Sequence, residues 1–514
     1  MFFQENISSL SFNNWILNDK ENKLLLKFSV GIIAISFIVL KKLYPYPNFM
    51  PPDSNSYIEA AINNDFINIW PIGYSKFLRL VSCISKSDTF LILIQYTLLQ
   101  IGLLYFLYTV RYFLLPPKWC FRVLMITSVL NPLLPLISNF VSSDTLFIAV
   151  SLIWITQLIW ILHNPTRKLL VLHSLILLLA FSLRYSSLYY PLISIILVFY
   201  CKTNNTNKII SISLITILLL LFVGITRYEY YKKTGTAQYS SFSGWQIASN
   251  ALYGYSHAEI IPASDVPIRF QIIHQMVNKH MDSIRKLTIR PDNEVAVYYQ
   301  WDSSSPLKQY MYKYFYNDTT QIFFKKWSRM SPIFIDYGTY LIKRRPLSFL
   351  RHFLWPNFLK YYAPPTKFMG LYNLGNNNVN PIVAKWFGWN NNKIYPLFKH
   401  KKITLVENYT ILTAIINLVF LLNFVAFVYF SGFSESTSIS RKIIRVIYFA
   451  WLMNLLFTTF SAPIELRYQV FSLIITYCFM WLLSAYLLTK CFIQNENKTQ
   501  LPPLNTLNTQ GLTK

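Results

Sequence analysis

Four short stretches combine ionisable side chains with apolar neighbours in ways that chemistry can use. The first is "YPNFMPPDSNSYIEAAINN", where Asp53 follows two prolines and opens a helical-looking run. A carboxylate held beside a bilayer can act as a general base toward a hydroxyl or amine, or ligate a metal that orients a phosphate. The plainer reading is a helix N-cap, and the two are compatible. Glu59 lies in the same short helix as a reserve carboxylate, and Asp65 reads as a turn residue. The second stretch is "NFVSSDTLF", with Ser142, Ser143 and Asp144. Ser and Asp suit the orphan N–H groups of a helix start, so capping competes with a role as second carboxylate. The third is Arg184 with Tyr185; a cation suits a helix C-terminus as well as a phosphate. The fourth is "SAPIELRYQVF", with Glu465, Arg467 and Tyr468. Arg467 falls in the first turn of a helix, where the dipole disfavours a cation by about 0.3–1 kcal/mol. An anion must offset that, either Glu465 as internal partner or a substrate phosphate.

The elements that position these residues follow from composition. The chain is 54% hydrophobic and 13% charged, with mean hydropathy +0.34. Soluble domains carry about 25% charged residues, so lipid must solvate much of this one. Apolar runs long enough to span lie at 24–44, 88–113, 119–138, 142–162, 168–184, 186–201 and 208–227, then 404–430, 441–460 and 466–488. The fifth and sixth are short and read as a broken pair. The expected fold is an all-α polytopic membrane protein with about ten transmembrane helices, within a range of about nine to thirteen, and a mixed extracytoplasmic insert. The parts are a tail 1–23, a seven-helix module 24–227 with its first external loop at 45–87, the insert 228–403, three helices over 404–488 and a tail 489–514. The polar N-terminus reads as a cytoplasmic tail before an uncleaved first helix.

Lysine and arginine in the short connections place both termini in the cytoplasm. Lys41 and Lys42 are exceptions at the outer end of the first span. All four stretches and the insert then share the external face, and no span carries a clear mid-helix charge. The net charge of +26 has two meanings: topology-setting loops, or a surface that attracts anionic head groups or a phosphate. Basic residues scattered between spans argue against nucleic acid. Cys83, Cys120, Cys201, Cys478 and Cys491 show no metal or redox spacing, and His257, His274 and His280 read as ordinary polar residues. Within the insert, "YLIKRRPLSFLRHFLWPNFLKYY" reads as an interfacial amphipathic helix broken by Pro346 and Pro356. Its aromatic and amide groups also suit carbohydrate.

Taken together, "PPDSNSYIEAA", "WPIGYSKFLRL", "SSDTLFIAVSLIWI", "LRYSSLYYPL" and "RYQVF" resemble the GT-C superfamily of polytopic glycosyltransferases, in the branch of dolichyl-phosphate-mannose–protein mannosyltransferases and lipid A aminoarabinose transferases. The resemblance covers the first seven spans and the last, and not the insert. It implies a sugar donor carried on a polyprenyl phosphate or diphosphate, with chemistry at the extracytoplasmic face. It maps the catalytic carboxylate to Asp53, with Glu59, Asp144 and Glu465 in support. Arg184, Arg467, Tyr185 and Tyr468 fall to the donor phosphate. Many relatives carry an acidic pair where this chain has Asp-Ser-Asn, so no metal ligand is assigned and a divalent cation, magnesium or manganese, stays open. The acceptor is protein, lipid or glycan. The membrane expected is a bacterial inner membrane. The alternatives are a lipid-linked glycan polymerase or ligase, and a polytopic transporter or lipid flippase.

Overall fold

The computed structural model describes residues 11–318, 321–398 and 401–499. The expected tails therefore lie partly outside the described residues, at 1–10 and 500–514. Chain that crosses hydrocarbon must satisfy its own N–H and C=O groups, which a helix does alone. Helices accordingly make up the fold, and among the described residues extended pairing is confined to isolated bridges at Asn48–Phe140, Leu371–Lys402 and Asn378–Lys393. Eight helices are long and apolar enough to span: Lys20–Leu43, Asp88–Leu114, Lys118–Ser138, Asp144–His163, Asn205–Thr234, Thr404–Tyr429, Ser438–Ser461 and Leu466–Phe492. The expected broken pair is Arg167–Leu183 and Tyr190–Tyr200, joined by the tight turn Tyr185–Tyr189. Pro191 sits in the first turn of the second, where its missing N–H costs nothing. The chain is a multi-pass membrane protein.

The spans differ in depth. Asp144–His163 is the central one, with 83% of its apolar window buried, whereas only 11% of that of Asn205–Thr234 is. Gly102 lets Asp88–Leu114 approach this central helix so closely that a methyl there would stand 3.0 Å from the Ala149 carbonyl oxygen. Asn205–Thr234 continues past its apolar run, ending in Lys232 and Lys233 with Gly235 in the left-handed conformation beyond. Lys41 has a reason to lie where it does: it pairs with Asp88 at 3.8 Å.

The insert, expected to be mixed, is built of helices and loops. Its helices Phe242–Tyr255 and Phe323–Arg344 cross at glycine: a Cβ on Gly338 would lie 2.8 Å from Ala248 Cα. They share a core of Trp245, Trp327, Phe334 and Tyr337, with the two indoles stacked at 3.7 Å. The rest of the insert, including Tyr361, Tyr372, Val383 and Phe387, packs into the membrane core instead. Pro346 breaks the amphipathic segment as expected, but Pro356 does not. A wider π-type turn at Leu350–Leu354 absorbs the missing donor, and the helix runs on through Trp355–Tyr362.

Candidate functional site

Two loops are fastened side by side at one end of the bundle. Asn48 N–H donates to Asn139 O at 2.7 Å and Val141 N–H to Asn48 O at 3.0 Å. Ser54 Oγ then donates to Val141 O at 2.8 Å and accepts from Met50 N–H at 2.9 Å. This fastening sets the start of the Asp53–Ile62 helix beside the start of Asp144–His163. Tyr57, one turn after Asp53 and on the same face, adds a bond of 3.1 Å between its hydroxyl and Ser143 Oγ.

The insert holds the third part, the start of Leu466–Thr499. Carbonyls at a helix end lack intrahelical donors. At the end of Ser438–Ser461, Asn250 Nδ2 serves Phe460 O at 3.2 Å and Ser461 O at 3.1 Å, while Asn357 Nδ2 serves Thr459 O at 3.2 Å and Ala462 O at 3.1 Å. Leu466 N–H donates to Pro365 O at 2.9 Å.

The result is an alternating chain of charges from four distant segments. Arg467 Nη1 lies 3.2 Å from Asp53 Oδ2 and 3.6 Å from Asp144 Oδ2, and Asp144 Oδ1 takes Arg184 Nη1. Ser142 Oγ donates to Asp144 Oδ2 at 2.9 Å. Arg467 Nη2 donates to the Tyr468 hydroxyl at 2.6 Å, and the Tyr468 ring lies against both guanidinium groups, 4.6 Å from Arg467 and 4.7 Å from Arg184. Burial pushes the Asp53 carboxyl above the usual carboxylate range, and the charge and hydrogen bond of Arg467 and the charge of Arg184 pull against it. A buried carboxyl of raised pKa is the stronger base.

Five of the residues picked out in the sequence meet here: Asp53, Asp144, Arg184, Arg467 and Tyr468. Neither aspartate caps its helix; the N-caps are Pro52 and Ser143, without side-chain capping bonds. Arg467 takes Asp53 and Asp144 as its ion-pair partners and not Glu465, which is buried and feels the charges of Lys360 and Lys367. Glu59 is exposed, because six residues of helix turn it away from Asp53. Tyr185 turns to a neighbouring cleft, its ring 5.5 Å from Tyr239, with Asn68 and Tyr230 in the same wall. Asp65 pairs with Lys233. His274 bonds the Tyr337 hydroxyl at 2.9 Å, and His257 stacks on His352.

The carboxylates of Asp53 and Asp144 share a guanidinium, and among the described residues no group of three or more His, Cys, Asp and Glu is disposed to hold a metal ion. Sequence reasoning missed Tyr57, although its spacing of four from Asp53 was the signal. It also missed Lys360 and Phe368, whose ring lies 5.7 Å from the Arg467 guanidinium; the proline pair between them marked the bend. No family model matches the chain, and neither a curated protein nor a solved structure does.

Proposed function

We propose that the protein is an integral-membrane glycosyltransferase that moves a sugar from a polyprenyl-phosphate or diphosphate donor to an acceptor at the extracytoplasmic face. The observation that carries the reading is the Asp53–Arg467 pair set beside Asp144–Arg184 at a loop-covered end of the bundle. A guanidinium bound to carboxylates is also a ready phosphate ligand. An incoming donor phosphate draws on the charge of Arg467 and so weakens its hold on Asp53, and the freed carboxylate takes the proton of the acceptor hydroxyl or amine. The acceptor oxygen or nitrogen then bonds to the anomeric carbon as the bond from that carbon to phosphate oxygen breaks. The electron pair leaves with the phosphate, where Arg467 and Arg184 offset its growing charge. One direct displacement inverts the anomeric centre. Without its donor the site stays neutral, its two acids paired with its two guanidinium groups.

The test is consumption of labelled polyprenyl-phosphate sugars by membranes containing the protein, wild type against Asp53→Asn at matched expression. The expected result is donor-specific turnover that falls about 10²–10⁴-fold in the variant, the usual contribution of a general base. Equal turnover in both would remove Asp53 from the chemistry. One observation favours a second reading, a polytopic transporter or lipid flippase. Inside the bundle, His173 bridges Gln157 Oε1 at 3.0 Å and Ser194 Oγ at 2.9 Å, a buried polar chain between helices. On that reading the labelled lipid would change leaflet in the same assay without losing its sugar.

A further inference from the structure

The segment 360–368 curls around the start of the last span. Its Pro365 carbonyl accepts from Leu466 N–H at 2.9 Å, its Pro364 carbonyl accepts from Thr410 Oγ1 at 2.9 Å, and its Phe368 ring covers Arg467. Inside the curl lies Glu465, 4% exposed. The charged groups that face it are Lys360 and Lys367 from the segment and Arg467 from its own helix. Unlike Asp53 and Asp144, it makes no ion pair within 4.0 Å among the described residues. Arg467 spends both Nη atoms on Asp53, Asp144 and Tyr468, yet its Nε is buried without a hydrogen-bond partner. A buried donor left without a partner is costly unless a ligand takes it.

We propose that Lys360 and the Nε edge of Arg467 form a binding site for a phosphodiester anion, and that Glu465 takes up one proton from solvent when that anion binds. The site rests on the transferase reading in that it names where the donor's phosphodiester sits. Ionised, Glu465 repels the anion and occupies the two cations electrostatically; protonated, it leaves them to the ligand. Its carboxyl is already pushed up to about 7 by burial, so the proton is available near neutral pH.

The probe is methyl geranyl phosphate, a diester that stays monoanionic across the pH range and so adds no titration of its own, unlike a phosphate monoester with its second pKa near about 6. Calorimetry on the full chain in lipid nanodiscs, in two buffers of different ionisation enthalpy, reads proton uptake directly and needs no variant. The expected result is uptake of close to one proton at alkaline pH and a Kd that rises about tenfold per pH unit once Glu465 is ionised. Glu465→Gln should bind tightly with a flat pH profile, and Lys360→Ala should bind about tenfold more weakly at every pH, both with a single cooperative thermal unfolding transition as the check on folding. Pure dimethyl phosphate separates the sources: binding comparable to the geranyl diester assigns the site to the headgroup alone, and weaker binding assigns it to a lipid. Absent binding, absent proton uptake, or a pH profile that survives Glu465→Gln would each overturn the proposal. Sugar transfer with pH-flat diester binding sinks only this inference; proton-linked binding without transfer sinks only the transferase reading.

Discussion

Arg467 is the residue on which the local charges depend. As a cation in a first helical turn it is misplaced by the dipole, and two carboxylates at 3.2 and 3.6 Å offset that. The anomaly was legible in "ELRY", but the partner was not. Glu465 is two residues away and Asp53 is separated by 414 positions, and nothing local shows which of the two faces the guanidinium. The turn geometry decides it, sending Glu465 toward Lys360. That side chain gives the clearest pH signature. Its carboxyl titrates at about 7 in the fold against 4.5 for a free one, raised by burial. Between those values the folded chain keeps a proton that the unfolded chain releases, so stability falls as pH rises across that window and levels off above it. Melting temperatures across the window should show that decline in wild type, and Glu465→Gln should flatten it. A decline that persists in the variant would place its cause in another group.

At the scale of elements, helix existence was readable because lipid imposes it: every span expected from apolar length is a helix, and the short pair is short because Arg184 and the tyrosines after it leave the helical path. What lay beyond reading is contact between elements. Arg184 owes its position to the end of Arg167–Leu183, and that end is fixed by Gly73, the first residue of Gly73–Ile84. A methyl on Gly73 would stand 2.6 Å from the Ser182 carbonyl oxygen, backbone that has little room to yield. Gly73→Ala should therefore cost about 1–3 kcal/mol, the usual range for overpacking, read as a lower melting temperature. Because the displaced helix end carries Arg184, the proposed sugar transfer should suffer mainly in kcat, with KM changed less. Wild-type stability in Gly73→Ala would show that the two helices can part without loss. The prolines were only half legible: Pro346 ends a helix as its chemistry demands, whereas the π-type turn before Pro356 is a tertiary accommodation with no local signal.

For the whole molecule, a 13% share of charged residues, against about 25% in soluble domains, and apolar runs of spanning length made the multi-pass helical protein legible. The insert was opaque because half of it has its own tryptophan-centred core while the other half belongs to the membrane core. That division also explains how a soluble-looking segment reaches the site: Asn250, Asn357 and Pro365 grip the loop that delivers Arg467. The charge chain has a consequence for biogenesis. Asp144 meets Arg184 within the first half of the chain, but Asp53 receives its cation only when the final span is in place. A nascent chain thus carries Asp53 without its ion-pair partner until its last helix docks, and breaking such a pair once buried is worth about 3–5 kcal/mol. A chain stopped after Ser461 should be cleared from membranes faster than the full chain in a pulse-chase, and Asp53→Asn should slow that clearance. Equal lifetimes with and without the aspartate would mean that its neutralisation plays no part. Clearance that the aspartate accounts for would make the arginine that closes the site double as the mark by which the cell knows the protein is finished.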